Sequence, residues 1–479
     1  MGVLPLGDLV IYDTETTDLD VRHGQLTQFA SIRVDEKFNI LEERNIRVRR
    51  LPYVVPSPDA LCITGTDPFT LDDDELPTEF EAAGQIQLAL LPQGRPQTNL
   101  TFNGIGFDDE LLRTTLFRNL RSPWFSSGKQ ICRVDLLPII RLIHTYDPDV
   151  ITIPENADGG RSWKLEMVAR ANGIDIDAHD ALGDVKATLE LARLVISKAG
   201  WAWRTARRCG HSATVEQDLA ASAQAGETVW LFTHFGEPDL VPCAVLGTDG
   251  RKRWVLADLR ASDIPDTVGS ISDLLYGSPK ESPFKVVRST GCPLFLSPND
   301  VGRMANDATI LKFNEKSRAI RDAGKLPTAA RRALVEKRYE APPDRTSEER
   351  IYDGFFSRED EARIRSFHAA SWQERAAIQF DDDRLRDFAA RLILQAVAAG
   401  ERGIPDHLVE AAKCLAAEAY ARPFAGADAR WMTLRKARTG WTDPRWEEWA
   451  SRAFPEPTSR PEGPGPESVQ QDSQLPFGF

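Results

Sequence analysis

At 479 residues the chain is long enough for two or three domains with cores of their own. Its composition, 42% hydrophobic and 27% charged, is that of a globular protein and not of a disordered or fibrous one. A net charge of −13 argues against binding nucleic acid through overall charge, although it leaves room for a local basic groove. No apolar run approaches the roughly 20 residues that span a bilayer, so no membrane contact is expected. The N-terminus lacks a basic stretch followed by an apolar core, which predicts a cytoplasmic protein. The six cysteines show no CxxC spacing, which predicts reduced thiols and neither a zinc site nor a disulfide framework.

In chain order, the first signal is LVIY (9–12), an apolar run that enters Asp13-Thr14-Glu15. QFASIRVDE follows, then RNIRVRR, where Ile46 and Val48 alternate with Asn45, Arg47 and Arg49 at strand period. Near residue 190, Leu182, Val185, Leu189, Ala192 and Ile196 fall on one helical face. Strands then give way to helices, which predicts a mixed α/β sheet over residues 1–200.

From Glu227 the texture changes to short β-rich runs: TVWLFTHF, LVPCAVLGT, RKRWVLADL and FKVVRS. Thr248-Asp249-Gly250 is a hairpin signal between two of them. A small β-barrel or sandwich is expected here. It should trail into basic helices, since Lys312–Arg338 holds nine Lys or Arg against three Asp or Glu. Arg204, Arg207 and Arg208 form a smaller basic cluster. APPDRTSEER (341–350) reads as a linker, and helices dominate from there to about Phe454. Residues 456–479, rich in Pro, Gly and Ser, are expected to be disordered. The expected class is α/β (α+β), multidomain, with units at 1–200, 201–345 and 346–455 and a tail at 456–479.

A lone Asp-x-Glu is weak evidence of chemistry. Its company strengthens it: Asp108 follows the small, apolar turn of TFNGIGFDDELL, and His179 and Asp184 stand five apart at the head of the amphipathic helix. If Asp13, Glu15, Asp108 and Asp184 converge, each like pair at 4 Å costs about 4 kcal/mol at an effective dielectric of 20. Either the pKa values rise or divalent cations neutralise the cluster. Oxygen-only ligands favour Mg²⁺ or Mn²⁺ over Zn²⁺. Two such ions, roughly 4 Å apart, form the site type that cleaves phosphodiesters. His179, titrating near neutral pH, is suited to take a proton from the attacking water.

The order Asp-x-Glu, Phe-Asp, His-x4-Asp resembles the DEDDh 3′→5′ exonucleases, which have a ribonuclease-H-like fold. Longer stretches resemble the bacterial exonuclease I family within them. The marks are QFASIR (28–33), ITGTDP (63–68), FNGIGFDDELLRTTLFRNL (102–120), VDLL (134–137), IPENADG (153–159), SWKLEMVARANGI (162–174), AHDALGDVKATLELARLV (178–195), GCPLF (291–295) and YDGFFS (352–357). They extend from the first strand to the C-terminal helices.

The resemblance implies processive 3′→5′ digestion of single-stranded DNA to 5′ mononucleotides, in DNA repair and recombination. It implies a ribonuclease-H-like exonuclease domain, an SH3-like barrel and a helical domain that close a channel over the strand. It assigns Asp13, Glu15, Asp108 and Asp184 as ligands of two Mg²⁺ ions, with Mn²⁺ as substitute, and His179 as general base. Asp109 also follows the Phe-Asp pair, but the pattern selects Asp108.

Thr14 is expected beside the terminal phosphate. Phe107, Ile63, Thr64 and Gly65 are expected against the last bases, with Trp124 a further aromatic candidate; Trp163 is expected in the core. Lys316, Arg318 and Arg321 are expected to track the backbone or to bind an acidic partner, in this family the tail of single-strand-binding protein. Residues 474–479 (QLPFGF) resemble peptides that dock in the sliding clamp, although Pro476 and Gly478 interrupt the usual Leu-Phe pair. A monomer acting at the nucleoid is expected. The rival readings are another DEDDh enzyme, such as an oligoribonuclease or proofreading subunit, and a catalytically weak DNA-binding or scaffold protein. Length disfavours the first, and the complete set of five residues the second.

Overall fold

The computed structural model describes residues 7–175, 180–234, 236–276, 282–336 and 341–455. His179 and the tail at 456–479, including 474–479, lie outside the described residues.

Two five-stranded sheets and a set of C-terminal helices make up the described chain. The first sheet contains β1 (Asp8–Thr16), β2 (Leu26–Val34), β3 (Ile40–Arg47), β4 (Gln97–Thr101) and β5 (Ile131–Asp135), in the order β3-β2-β1-β4-β5. β1 pairs antiparallel with β2 and parallel with β4, so β1, β4 and β5 end on the same edge. β1 is apolar on both faces because both are covered. Leu9 and Ile11 pack in the layer that contains Val185, Leu189 and Ala192 of the Ala181–Lys198 helix. Val10 and Tyr12 pack in the opposite layer, with Ile86, Leu111 and Leu116. The expected helical face is the one buried: Val185 and Ala192 have no exposed surface, and Leu182 and Ile196 lean on the same core. The strand expected at RNIRVRR stops at Arg47, although the Val48 amide still donates to the Thr27 carbonyl at 2.9 Å.

The second sheet contains β6 (Thr228–Thr233), β7 (Asp239–Thr248), β8 (Arg253–Asp258), β9 (Phe284–Arg288) and β10 (Phe295–Leu296). Its order is β10-β6-β7-β8-β9, antiparallel throughout. The main core runs without a break from β1 through Trp201 and Leu219 to Trp230 and Leu256 of this sheet. Trp163 is partly buried against that core, with the Arg141 guanidinium 4.6 Å from its ring centroid.

The second half of the segment read as a linker, unlike its exposed first four residues, is part of the packing. Thr346, Glu348 and Ile351 are buried. The Glu348 carboxylate accepts from Arg391 at 2.5 Å and from Arg422 at 2.8 and 3.0 Å. Its partners lie more than 40 residues away in sequence, beyond the reach of local spacing. Phe117 and Leu120 share a cluster with Phe367 and Phe388, which docks the C-terminal helices on the first sheet's cover. Among the described residues no helix is long and apolar enough to cross a membrane.

Candidate active site

Strand geometry explains the first two carboxylates. Side chains two apart share a face, so Asp13 and Glu15 continue the row of Leu9 and Ile11 toward the Ala181–Lys198 helix. Asp184 lies in the first turn of that helix. Oxygens of Asp13, Glu15 and Asp184 all lie within 4.8 Å of one another. The helix start is fixed from below. Asp180 caps it, accepting from the Gly183 amide at 3.3 Å, and is held by Gln28, whose Nε2 donates at 2.8 Å. Gln28 is the cross-strand partner of Glu15.

Asp108 comes from the other side. After β4 the chain turns through Asn103, held at φ 62°, and starts the Asp108–Arg118 helix. Asp135, at the end of β5, braces the turn by accepting from the Asn103 amide at 2.7 Å and the Leu137 amide at 3.1 Å. Burial pushes the Asp135 carboxyl up to about 6. Asp108 is buried and accepts a short hydrogen bond from the Thr14 hydroxyl. It stands beside the group of three and is a charge neighbour of both Asp13 and Glu15. Asp109 is fully buried, bonded to the Tyr12 hydroxyl at 2.5 Å and ion-paired with Arg133. Of the two aspartates, Asp108 is therefore the one that borders the cluster.

Burial and mutual repulsion act together here. Burial and then the charges of Asp108, Asp184 and Glu15 hold the Asp13 carboxyl well above the usual range. Glu15 is pushed up to about 7, by burial first and then by Asp184 and Asp108. Asp108 reaches about 7, chiefly through burial. These are carboxylates arranged against their own ionisation, the environment that a bound cation relieves.

The remaining candidates surround the cluster. The Ser57 amide donates to the Thr17 carbonyl at 2.8 Å, which sets the Pro58–Thr64 helix beside the end of β1. Ile63 and Gly65 are exposed there, and the Thr64 hydroxyl is hydrogen-bonded to that of Thr66 at 2.7 Å. Phe107 and Trp124 are half-buried on the wall of a groove of about 2000 Å³. This groove begins at the 103–107 turn and runs between the two sheets past Arg207, Arg251, Lys252 and Arg288.

Lys316 and Arg321 are not among the residues that line the groove, which leaves the backbone-tracking alternative without support there. Lys316 donates to the carbonyls of Leu259 and Ala261 at 2.6 and 3.0 Å, and Arg321 to that of Ala225 at 2.6 Å. Both fasten their helix to its neighbours, and Arg318 packs against Gly226. Arg207 and Arg208 of the basic cluster seen in the sequence line the groove, whereas Arg251, Lys252 and Arg288 were missed because they are scattered among several loops and strands. Tyr352, which also lines the groove, had a signal in the YDGFFS stretch.

Residues 10–192 match the Exonuclease family. Among curated proteins the chain is 27% identical to exodeoxyribonuclease I of Escherichia coli K12 over 377 residues, 74% of this chain and 78% of that one. It is 28% identical to exodeoxyribonuclease I of Haemophilus influenzae over 414 residues, 78% of this chain and 83% of that one. Its fold is that of E. coli exonuclease I solved with a dA16 oligonucleotide: TM-score 0.74, 22% identity, covering 93% of this chain and 100% of that one. Exonuclease I of Methylocaldum szegediense gives a TM-score of 0.70 at 24% identity, covering 94% and 100%. A zinc-bound E. coli complex with single-stranded DNA shares the fold, at TM-score 0.72. The N-terminal part of the chain is thus an exonuclease domain, and its acidic cluster has the donor set of a divalent-metal site. Over about three quarters of its length the chain is similar to the exodeoxyribonuclease I proteins.

Proposed function

We propose that the chain is a 3′→5′ exodeoxyribonuclease that draws single-stranded DNA along the groove and releases 5′ mononucleotides one after another. The observation that carries this is the meeting of Asp13, Glu15 and Asp184 within 4.8 Å, beside Asp108, whose preceding turn at 103–107 lines a groove with basic walls. The donor set suits Mg²⁺, two ions per site with Mn²⁺ as substitute, because every donor is a carboxylate oxygen and the carboxyls resist ionisation without a cation. Bound there, the ions would activate the attacking water and stabilise the leaving 3′ oxygen.

The protein's own part is placement. Asp13, Glu15, Asp108 and Asp184 hold the site, and the Thr14 hydroxyl fixes the rotamer of Asp108. His179, one residue before the helix cap Asp180, accepts the proton of the attacking water. Phe107 and Trp124, with Ile63, Thr64 and Gly65, hold the last nucleotides. Sequence-tolerant binding fits apolar contact surfaces joined to a basic track.

Residues 1–200, 201–345 and 346–455 act as the exonuclease unit, an SH3-like unit and a helical unit. The enzyme works in the cytoplasm at the nucleoid, as a monomer. The acidic tail of single-strand-binding protein and, through residues 474–479, the sliding clamp bring it to DNA.

The test is digestion of labelled single- and double-stranded DNA and RNA with Mg²⁺ or with chelator. Mononucleotide release from single-stranded DNA, dependent on metal and a free 3′ end, is expected. Endonucleolytic fragments or metal-independent cleavage would refute the reading. For His179→Ala, a loss of about 10²- to 10⁴-fold and a flattened neutral pH limb are expected.

A further inference from the structure

Two consecutive phenylalanines in YDGFFS have opposite fates. Phe356 is stacked on Phe117, with ring centroids 5.9 Å apart, and is covered by the Arg384 guanidinium at 4.9 Å. It anchors the segment in the core between the first sheet's cover and the C-terminal helices. Phe355 is 84% exposed, the highest value among the exposed large hydrophobic side chains of the described residues. Folding buries little of this ring.

The ring has company at the groove. Phe355 lies 5.8 Å from Trp124 at an interplanar angle of 61°, and Trp124 lies 5.8 Å from Tyr352. Trp124 and Tyr352 both line the groove. The Tyr352 hydroxyl donates to the Glu110 carboxylate, 2.7 Å from each oxygen. Arg22 pairs with the same carboxylate and stands 5.3 Å from the Tyr352 ring. Arg113 stands 5.7 Å from the Trp124 ring. Glu110 lies in the first turn of the helix that starts with Asp108. The aromatic group is therefore tied to the element that carries a site carboxylate, although it comes from two distant parts of the chain.

We propose that Trp124, Tyr352 and Phe355 form a stacking platform for one unpaired base of the strand, on the 5′ side of the nucleotide being removed. The inference rests on the exonuclease reading and deepens it by naming a contact that recognises single-strandedness. A base in a duplex has both faces covered by its neighbours, whereas an unpaired base can present a face to an aromatic ring. Continuity with the groove and flanking guanidinium groups favour a nucleobase, which arrives with its own phosphates. The platform is a substrate-binding element and takes no part in bond cleavage.

The experiment uses the full-length protein and oligodeoxynucleotides carrying one 2-aminopurine at successive positions from the 3′ end, with Ca²⁺ replacing Mg²⁺ to prevent digestion. Stacking quenches this base, so one position should be quenched more than its neighbours. Phe355→Ala and Trp124→Ala should lose that position-specific quench and bind the oligonucleotide about 5- to 100-fold more weakly. Phe355→Tyr, which keeps a ring, should restore both. Phe355→Ala removes an exposed ring, so an unchanged melting curve shows that the fold is intact. Tight binding with the same quench in wild type, Phe355→Ala and Trp124→Ala would overturn the platform and leave the exonuclease reading standing. Failure of the unsubstituted protein to bind any oligonucleotide would overturn both.

Discussion

Gly104 makes the positioning of Asp108 open to test. It sits in the turn after β4, where a Cβ would lie 2.3 Å from Asp108 Oδ2 and 2.8 Å from the Thr101 Cβ. Ordinary contact begins at 3.4 Å, so Gly104→Ala requires the carboxylate to retreat by roughly 1 Å. It has little freedom to do so, because its other oxygen is held by the Thr14 hydroxyl and the residue is buried. The backbone φ of Gly104 is not in the left-handed region, so the effect is one of space alone. Overpacking of this size costs about 1–3 kcal/mol of stability. A misplacement of about 1 Å in a catalytic constellation costs on the order of 10²-fold in rate. The assay pairs kcat/KM for a 3′-labelled single-stranded oligonucleotide with a thermal melt. Gly269→Ala, where a Cβ meets nothing within 4 Å, serves as the control. A hundredfold loss with only modest destabilisation is expected for Gly104→Ala. Wild-type kcat/KM in that variant would refute the claim that Asp108 must sit where it does.

Asp13→Asn should cut the rate by several orders of magnitude while raising the stability of the metal-free protein near pH 8, since it removes one of the repelling charges; equal activity would sink the ligand assignment. The unfolded carboxyls titrate at 4.5 for Glu15 and 3.8 for Asp108, and both are pushed up to about 7 in the fold. Their contribution is thus most favourable below about pH 4 and is lost as pH rises through 7, by up to about 3 kcal/mol for Glu15 at 1.36 kcal/mol per unit. Metal-free protein should therefore melt lower at pH 8.5 than at pH 6, and saturating Mg²⁺ should erase the difference; a gap that persists with Mg²⁺ argues against binding at these residues. Glu348→Gln leaves Arg391 and Arg422 without their buried counter-charge and should cost about 3–5 kcal/mol in chemical denaturation. A loss under 1 kcal/mol would mean that water reaches the site. Deletion of residues 474–479 should abolish clamp binding on the order of micromolar in surface plasmon resonance and leave the rate on naked DNA unchanged; an unchanged clamp signal removes the tail from recruitment.

Local periodicity and short-range spacing are properties of the sequence alone, and they determined much of this protein. LVIY running into Asp-Thr-Glu required a strand covered on both faces, with two carboxylates at its end on one face. The face of the Ala181–Lys198 helix, with Asp184 at its head, followed from a 3.6-residue repeat. The choice of Asp108 over Asp109 came from pattern, and its reason emerged only in three dimensions, where Asp109 is taken by Tyr12 and Arg133. Contacts between distant segments were beyond the reach of periodicity. Glu348 read as part of a linker until Arg391 and Arg422 closed on it, and of the two roles read for the run around Lys316, a nucleic-acid track or a site for an acidic partner, the first lost ground when its donors met backbone carbonyls. The groove cations and the pairing of Trp124 with Phe355 depend on chain crossings of up to more than 200 residues. A residue's hydrophobic period is set by its neighbours in the chain, but the partner of a charge or an aromatic ring is set by where the whole chain returns.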